Sequence, residues 1–85
     1  MSRDYAYYAI LDDDHTLEDP RVVVRERGSI EERFTTNLKW ERSDVLYRIS
    51  SGREYAEAVQ ITEADADRFK KVQAKRVKEA LKKQG

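Results

Sequence analysis

The chain has 85 residues, of which 39% are hydrophobic and 40% charged, with 3 glycines and 1 proline. This composition is too apolar for a disordered chain, and the length allows one domain, which we place at residues 1–85. The absence of cysteine excludes disulfides, thiolate nucleophiles and cysteine-ligated metals. The longest apolar run is far shorter than the roughly 20 residues of a membrane span, so we expect a soluble cytoplasmic protein with no membrane partner. A domain this small buries a modest fraction of its surface, which makes homodimerisation a further expectation.

The first half of the chain has the pattern of β-strands. Tyr5 to Leu11 is aromatic and β-branched, and because apolar side chains fall on both of its faces, we predict a central strand. An acidic connection over residues 12–19 leads through Pro20 into a second strand, Arg21 to Arg27. A third strand is predicted over residues 30–36.

A tight turn is predicted between the second and third strands. Gly28 and Ser29 fit a two-residue type II′ hairpin turn, which places Arg25 opposite Glu32. The same register places Glu26 opposite Glu31, and like charges in this position destabilise a pair of strands. A shifted register or a bulge is therefore an open alternative.

The second half of the chain alternates helix and strand signals. After the extended segment at Trp40, Ser43 and Asp44 begin a short helix that stops at Gly52. Residues 55–61 alternate in polarity and predict a last strand.

The C-terminal segment has the signals of a long helix. Thr62 is the natural N-cap, and the acidic first turns and lysine-rich last turn match the helix dipole over residues 62–84. Together with the strand-rich residues 4–61, this predicts an α+β domain. Its antiparallel sheet has three or four strands, with a short helix and a long C-terminal helix packed on one face.

The long helix carries a basic stripe along one face. Residues 68–85 contain eight Lys/Arg and one acidic residue, a net charge of +7. Residues 1–67 contain nine Lys/Arg and sixteen acidic residues, a net charge of −7. The formal net charge of +0 therefore hides a separation between an acidic body and a basic C-terminal segment. The stripe follows steps of three and four residues: Arg68, Lys71, Lys75, Lys78 and Lys82. The opposite face of the helix has fewer apolar side chains in its C-terminal half. We therefore expect the last turns of the helix to overhang the sheet, to fray or to meet another molecule.

Two interpretations of the basic stripe are open. A row of cations suits the phosphate backbone of a nucleic acid, which supplies affinity without reading sequence. However, the pI is about 6.6 and the stripe is rich in lysine, without the Arg and Asn side chains that read base edges. A lysine-rich outer face is most often only a solvated surface.

The aromatic residues form the second candidate contact surface. The chain has 5 tyrosines and 1 tryptophan, and the rings that the core does not use have the chemistry of protein interfaces. Arginines near two of these rings could stack on them or clamp a carboxylate. The candidate residues of this surface are Trp40, Arg42, Tyr47 and Arg48.

Patterns typical of catalysis or of metal binding are scarce. Asp12 to His15 gathers three carboxylates and the single imidazole, but adjacent loop residues do not readily converge on one ion, so we interpret it as a solvated acidic loop. No nucleophile elbow or glycine-rich phosphate loop is present. We therefore expect no cofactor, no metal and no catalytic residue.

Three segments resemble a group of small actinobacterial proteins of unknown function. The likeness rests on residues 34–48, together with Tyr7 to Ile10 and Ile61 to Ala66, and extends over most of the chain. The resemblance implies a bacterial cytoplasmic setting. It implies no activity, ligand or catalytic residue.

The sequence therefore predicts a non-catalytic protein interaction module that binds a protein partner or self-associates. The alternative is nucleic-acid backbone binding through the basic C-terminal helix, which high salt would abolish because counterion release drives it. An enzyme is a third interpretation, which an ordered ion at Asp12 to His15 would favour.

Overall fold

The structure is a computed structural model that describes residues 4–84, with five strands and two helices. All strand pairs are antiparallel, and the strands lie side by side in the order β4-β3-β2-β1-β5. The elements follow the chain as β1 Ala6–Leu11, β2 Val22–Arg27, β3 Ile30–Phe34, β4 Trp40–Arg42, α1 Val45–Ser50, β5 Glu57–Ile61 and α2 Glu63–Gln84.

The α+β class and the antiparallel sheet are confirmed, but the sheet has five strands rather than three or four. The additional strand is β4, where Trp40 pairs with Phe34. A tight turn makes this pairing possible, because the Thr35 amide donates to the Lys39 carbonyl at 2.9 Å and Leu38 adopts a left-handed φ of 59°. Three residues are too few for an alternating pattern to indicate a strand in the sequence.

The hairpin between β2 and β3 keeps the predicted register. Gly28 has a φ of +63°, which glycine adopts without steric penalty. Arg25 lies opposite Glu32, and Glu26 lies opposite Glu31. No shift or bulge is needed, because the Glu31 carboxylate accepts hydrogen bonds from Ser43 Oγ at 2.5 Å and from the backbone amide of Leu46 at 3.2 Å. Glu31 thereby holds the start of α1 against the sheet.

The two helices cover opposite faces of the sheet, and each face has its own core. β1 lies between β2 and β5, as predicted for a strand that is apolar on both faces. On one face Val23, Phe34, Ala66 and Phe69 are buried under α2. On the other face Ile10, Val24 and Val45 are buried, with Leu46 and Ile49 of α1 packed against them.

The long helix begins and packs as its sequence predicts. Thr62 Oγ1 accepts from the Asp65 amide at 3.1 Å, and Asp65 Oδ2 accepts from the Thr62 amide at 3.3 Å, which closes a reciprocal cap. Gln73 Nε2 donates to the Phe34 carbonyl at 3.3 Å and fixes the middle of α2 to β3. Beyond Val77 every described side chain is exposed, so the last turns overhang the sheet.

Candidate interaction surfaces

The structure places the predicted basic stripe on the solvent side of α2. All five of its side chains are exposed. Arg68 forms an ion pair with Asp65, one turn earlier on the helix. Within residues 4–84, no ion pair neutralises the four lysines of the stripe, which are Lys71, Lys75, Lys78 and Lys82. The sequence therefore predicted both the membership and the exposure of this surface.

The cations that flank the stripe point toward the body of the protein. Arg76 donates to the Pro20 carbonyl at 2.7 Å, pairs with Asp19, and lies 5.4 Å from the centre of the Phe69 ring. Arg76 therefore fixes the β1–β2 loop to α2. Lys70 lies 5.7 Å from the Trp40 ring centre and is likewise occupied within the fold.

The predicted aromatic and arginine set is split between the two faces of the sheet. Trp40 and Arg42 lie on β4, on the face that α2 covers. Tyr47 and Arg48 lie on α1, which packs on the opposite face. Because the sheet separates the two pairs, these four residues do not form one site.

Arg48 is committed to an ion-pair network inside the fold. It pairs with Asp44 on its own helix, and its Nε donates to Glu54 Oε1 at 3.3 Å. Arg21 donates to the other oxygen of Glu54 at 2.8 Å. These two guanidinium groups lower the pKa of Glu54 below its ordinary value. Arg48 is therefore a structural residue that ties α1 to the start of β5.

A cluster of rings and one guanidinium forms the most organised polar and aromatic surface on the α2 side. The Arg25 guanidinium lies 4.2 Å from the Tyr5 ring centre and 4.4 Å from the Trp40 ring centre. Tyr7 lies 6.2 Å from each of these two rings. We call Tyr5, Tyr7, Arg25 and Trp40 the aromatic platform.

The sheet register explains how the aromatic platform is assembled. Tyr7 on β1 lies opposite Arg25 on β2, and Arg25 lies opposite Glu32 on β3. Side chains at opposite positions of neighbouring strands share a face. The Arg25 guanidinium donates to Glu32 at 2.8 Å, so both an ion pair and two rings hold it in place.

The electrostatics of the aromatic platform favour an anionic contact. Arg27 lies 4.8 Å from the Tyr5 ring centre and is exposed, as is Arg42 on β4. On this part of the sheet three guanidinium groups therefore lie near the carboxylate of Glu32, while the carboxylates of Glu63 and Asp67 lie on the Tyr7 side. Burial, with the nearby Glu63 carboxylate, raises the pKa of Tyr7 above its ordinary value of 10.0, so its phenol stays neutral at physiological pH.

Trp40 was among the predicted contact residues, but its contact with Arg25 and the stacking of Arg25 and Arg27 on Tyr5 were not predicted. The hairpin register was available, because it placed Arg25 opposite Glu32. The pairing of β1 with β2 across the acidic loop was not predicted from the sequence. That pairing is what brings Tyr5 and Tyr7 to Arg25.

A cavity of about 660 Å³ lies on the other flank of α2, beside β1 and β5. Its apolar lining includes Ile61, Phe69 and Val72, and Leu17 from the β1–β2 loop is exposed at its rim. Arg68 also lines it. The cavity therefore lies between α2, the β1–β2 loop and the end of β5.

The acidic loop at Asp12 to His15 satisfies its own hydrogen bonds. Asp12 Oδ1 lies 2.6 Å from His15 Nδ1 and accepts from the Asp14 amide at 2.9 Å. These contacts lower the pKa of Asp12 below its ordinary value. Within residues 4–84, no group of three or more His, Cys, Asp or Glu side chains is arranged to hold a metal ion.

No protein-family profile matches this chain, and comparisons with curated proteins and with solved structures find no match either. The resemblance to small actinobacterial proteins therefore stays a prediction, as does the cytoplasmic location. Neither of the two described helices is both long enough and apolar enough to cross a membrane.

Proposed function

We propose that this protein is a non-catalytic interaction module that binds an acidic segment of a protein partner on the aromatic platform. The observation that carries the proposal is the position of Arg25 between the rings of Tyr5 and Trp40. Trp, Tyr and Arg are the residues that dominate the energy of protein interfaces. Here they lie together, half-buried, on one face of a sheet.

The aromatic platform is organised before any partner arrives. A long side chain that must be ordered on binding costs about 0.5–1.5 kcal/mol. Arg25 is already held by two rings and by Glu32, so its side chain is ordered when the protein folds and does not have to be ordered on binding. The rings are held in the same way, because Trp40 also contacts Phe34 at 5.3 Å between ring centres.

The chemistry of these residues favours binding over catalysis. Guanidinium groups remain protonated at any physiological pH and form directional ion pairs with carboxylates. The Tyr7 phenol is kept neutral by burial and by Glu63. Stacking and ion pairing are therefore the interactions that this surface offers.

The position of the platform leaves room for a peptide. α2 contacts β1 and β2 and leaves the same face of β3 and β4 with less cover. Ile30 is exposed there, beside Arg27 and Arg42. An extended segment with carboxylates and rings would find a guanidinium group on either side of the Trp40 ring.

Trp40 supplies the test, because it is the one tryptophan in the chain. Its fluorescence would be titrated with a short peptide that alternates glutamate and tyrosine, and with a matched peptide of glutamine and tyrosine. We expect saturable binding of the acidic peptide, weakened by Arg27→Gln and unchanged by Arg53→Gln, an exposed arginine in the loop before β5. Equal binding of both peptides, or equal effects of the two variants, would contradict the proposal.

The second candidate is binding of a nucleic-acid backbone along the basic stripe. It is favoured by the exposure of four lysines that no ion pair neutralises within the described residues. A mixed-sequence DNA duplex would then bind at low salt, lose affinity steeply as salt rises, and be released when Lys71, Lys75 and Lys78 become Glu. Binding of this kind, with no effect of Arg27→Gln, would move the function from the platform to α2.

A further inference from the structure

The two edges of the sheet differ in how well they are protected. An edge strand offers unpaired backbone amides and carbonyls, and proteins commonly blunt such edges with charge, proline or short length. At one edge β4 has three residues, and two of them are the charged Glu41 and Arg42. At the other edge β5 has five residues, with Glu57 as its one charged side chain and no lysine or proline.

Two large exposed side chains, Tyr55 and Leu17, lie near β5. Tyr55, two residues before the strand, is 100% exposed. A large ring that is wholly in water is informative, since most tyrosines cover part of their surface with their own chain. Ile61 at the end of β5 also lines the cavity beside α2, together with the exposed Leu17.

We propose that a second copy of this chain pairs with β5, strand against antiparallel strand, so that two five-stranded sheets become one of ten strands. An edge strand that meets its own copy about a two-fold axis forms a closed dimer, in which both β5 edges are paired and only the short, charged β4 edges remain. With the axis at Val59, Ala58 lies opposite Gln60 of the second copy, and Glu57 lies opposite Ile61. Neither Glu57 faces its own copy, so the pairing opposes no like charges.

A stable dimer sets a requirement on the area that must be buried at this edge. Specific interfaces bury at least about 1,200 Å² in total. The two fully exposed Tyr55 side chains contribute roughly 300–500 Å² when covered, at 150–250 Å² each. The proposal therefore requires the paired strands, with Leu17 and Ile61, to bury roughly another 700–900 Å².

Sedimentation of the intact protein tests this surface. We expect a dimer that persists at high salt and that Tyr55→Ser weakens at least about tenfold, a readily measured change. Leu38→Ser is the control, because Leu38 is also exposed but lies in the turn between β3 and β4, at the opposite edge of the sheet. Val59→Lys places two lysines opposite each other on the axis and should give a monomer, with circular dichroism to show that it is folded.

A crosslinking experiment gives an independent readout, since the chain has no cysteine. Val59→Cys places two thiols on the axis, with Cα atoms about 4.5–5.5 Å apart, which suits a disulfide. We expect this variant to form a covalent dimer much faster than Thr36→Cys, an exposed position in the turn between β3 and β4, at the opposite edge of the sheet. Equal rates would overturn the proposal.

Two further results would also overturn it. One is a wild-type protein that remains monomeric at about 1 mM, where even a millimolar dissociation constant gives a substantial dimer fraction. The other is a dimer that Trp40→Ala abolishes and Tyr55→Ser leaves intact, because the self-contact would then lie on the aromatic platform. The inference concerns a different surface from the proposed function, so each can fail while the other holds.

Discussion

Replacing Arg25 with methionine tests how firmly the aromatic platform is built. Methionine keeps much of the side-chain volume but removes the charge that lies 4.2 Å from the Tyr5 ring centre and 4.4 Å from the Trp40 ring centre. Each cation–π contact contributes about 0.5–1 kcal/mol at a partly exposed site. The half-buried ion pair with Glu32 contributes about 0.2–1 kcal/mol. We therefore expect the free energy of unfolding to fall by about 1–3 kcal/mol.

Urea unfolding followed by Trp40 fluorescence measures this loss directly. Arg53→Met is the control, because Arg53 is exposed and should change stability by less than about 0.5 kcal/mol. A double-mutant cycle with Glu32→Gln separates the ion pair from the ring contacts. A loss from Arg25→Met no larger than that of the control would refute the argument that Arg25 organises the rings.

Three other predictions concern the core, the loop and the acid stability. Phe69→Ala should destabilise the protein by about 3–5 kcal/mol because the ring is buried. Leu81→Ala, on the overhanging end of α2, should change the free energy of unfolding very little, and urea unfolding of both variants checks this contrast. Arg76→Ala should speed amide hydrogen exchange in residues 12–20 about tenfold or more, since a hydrogen bond to a charged group contributes about 1.5–3 kcal/mol. Unchanged exchange rates would show that other contacts hold the loop. Because the pKa of Glu54 is lowered, its ionised carboxylate contributes fully to stability above its ordinary pKa of 4.5, and this contribution is lost as the pH falls through the lowered pKa. In thermal unfolding between neutral and acid pH, the melting temperature of Glu54→Gln should therefore fall less steeply with pH than that of the wild type.

Local patterns predicted the elements whose signals lie close together in the chain. The Thr62 cap, the basic stripe and the Gly28 turn each depend on residues a few positions apart, and all three are present in the structure. The hairpin register was also predicted. The reason why this register is stable was not predicted. The Glu31 carboxylate accepts hydrogen bonds from Ser43 and Leu46, which lie more than ten residues further along the chain.

The candidate site depended on contacts between distant parts of the chain. Trp40 and Tyr47 are close in sequence, yet the short β4 and the turn into α1 place them on opposite faces of the sheet. Arg25 and Tyr5 are twenty positions apart, and the pairing of β1 with β2 makes them neighbours. Composition alone predicted an aromatic contact surface, but only the sheet order selects its members.

A nuclear magnetic resonance titration with the acidic peptide tests the central claim most directly, since it reports the location of binding together with its affinity. We expect the Trp40 indole resonance and the amides of Tyr7, Arg25 and Arg27 to shift together and saturate. Shifts confined to α2 around Lys71 and Lys75, or no saturable shift at Trp40, would contradict it.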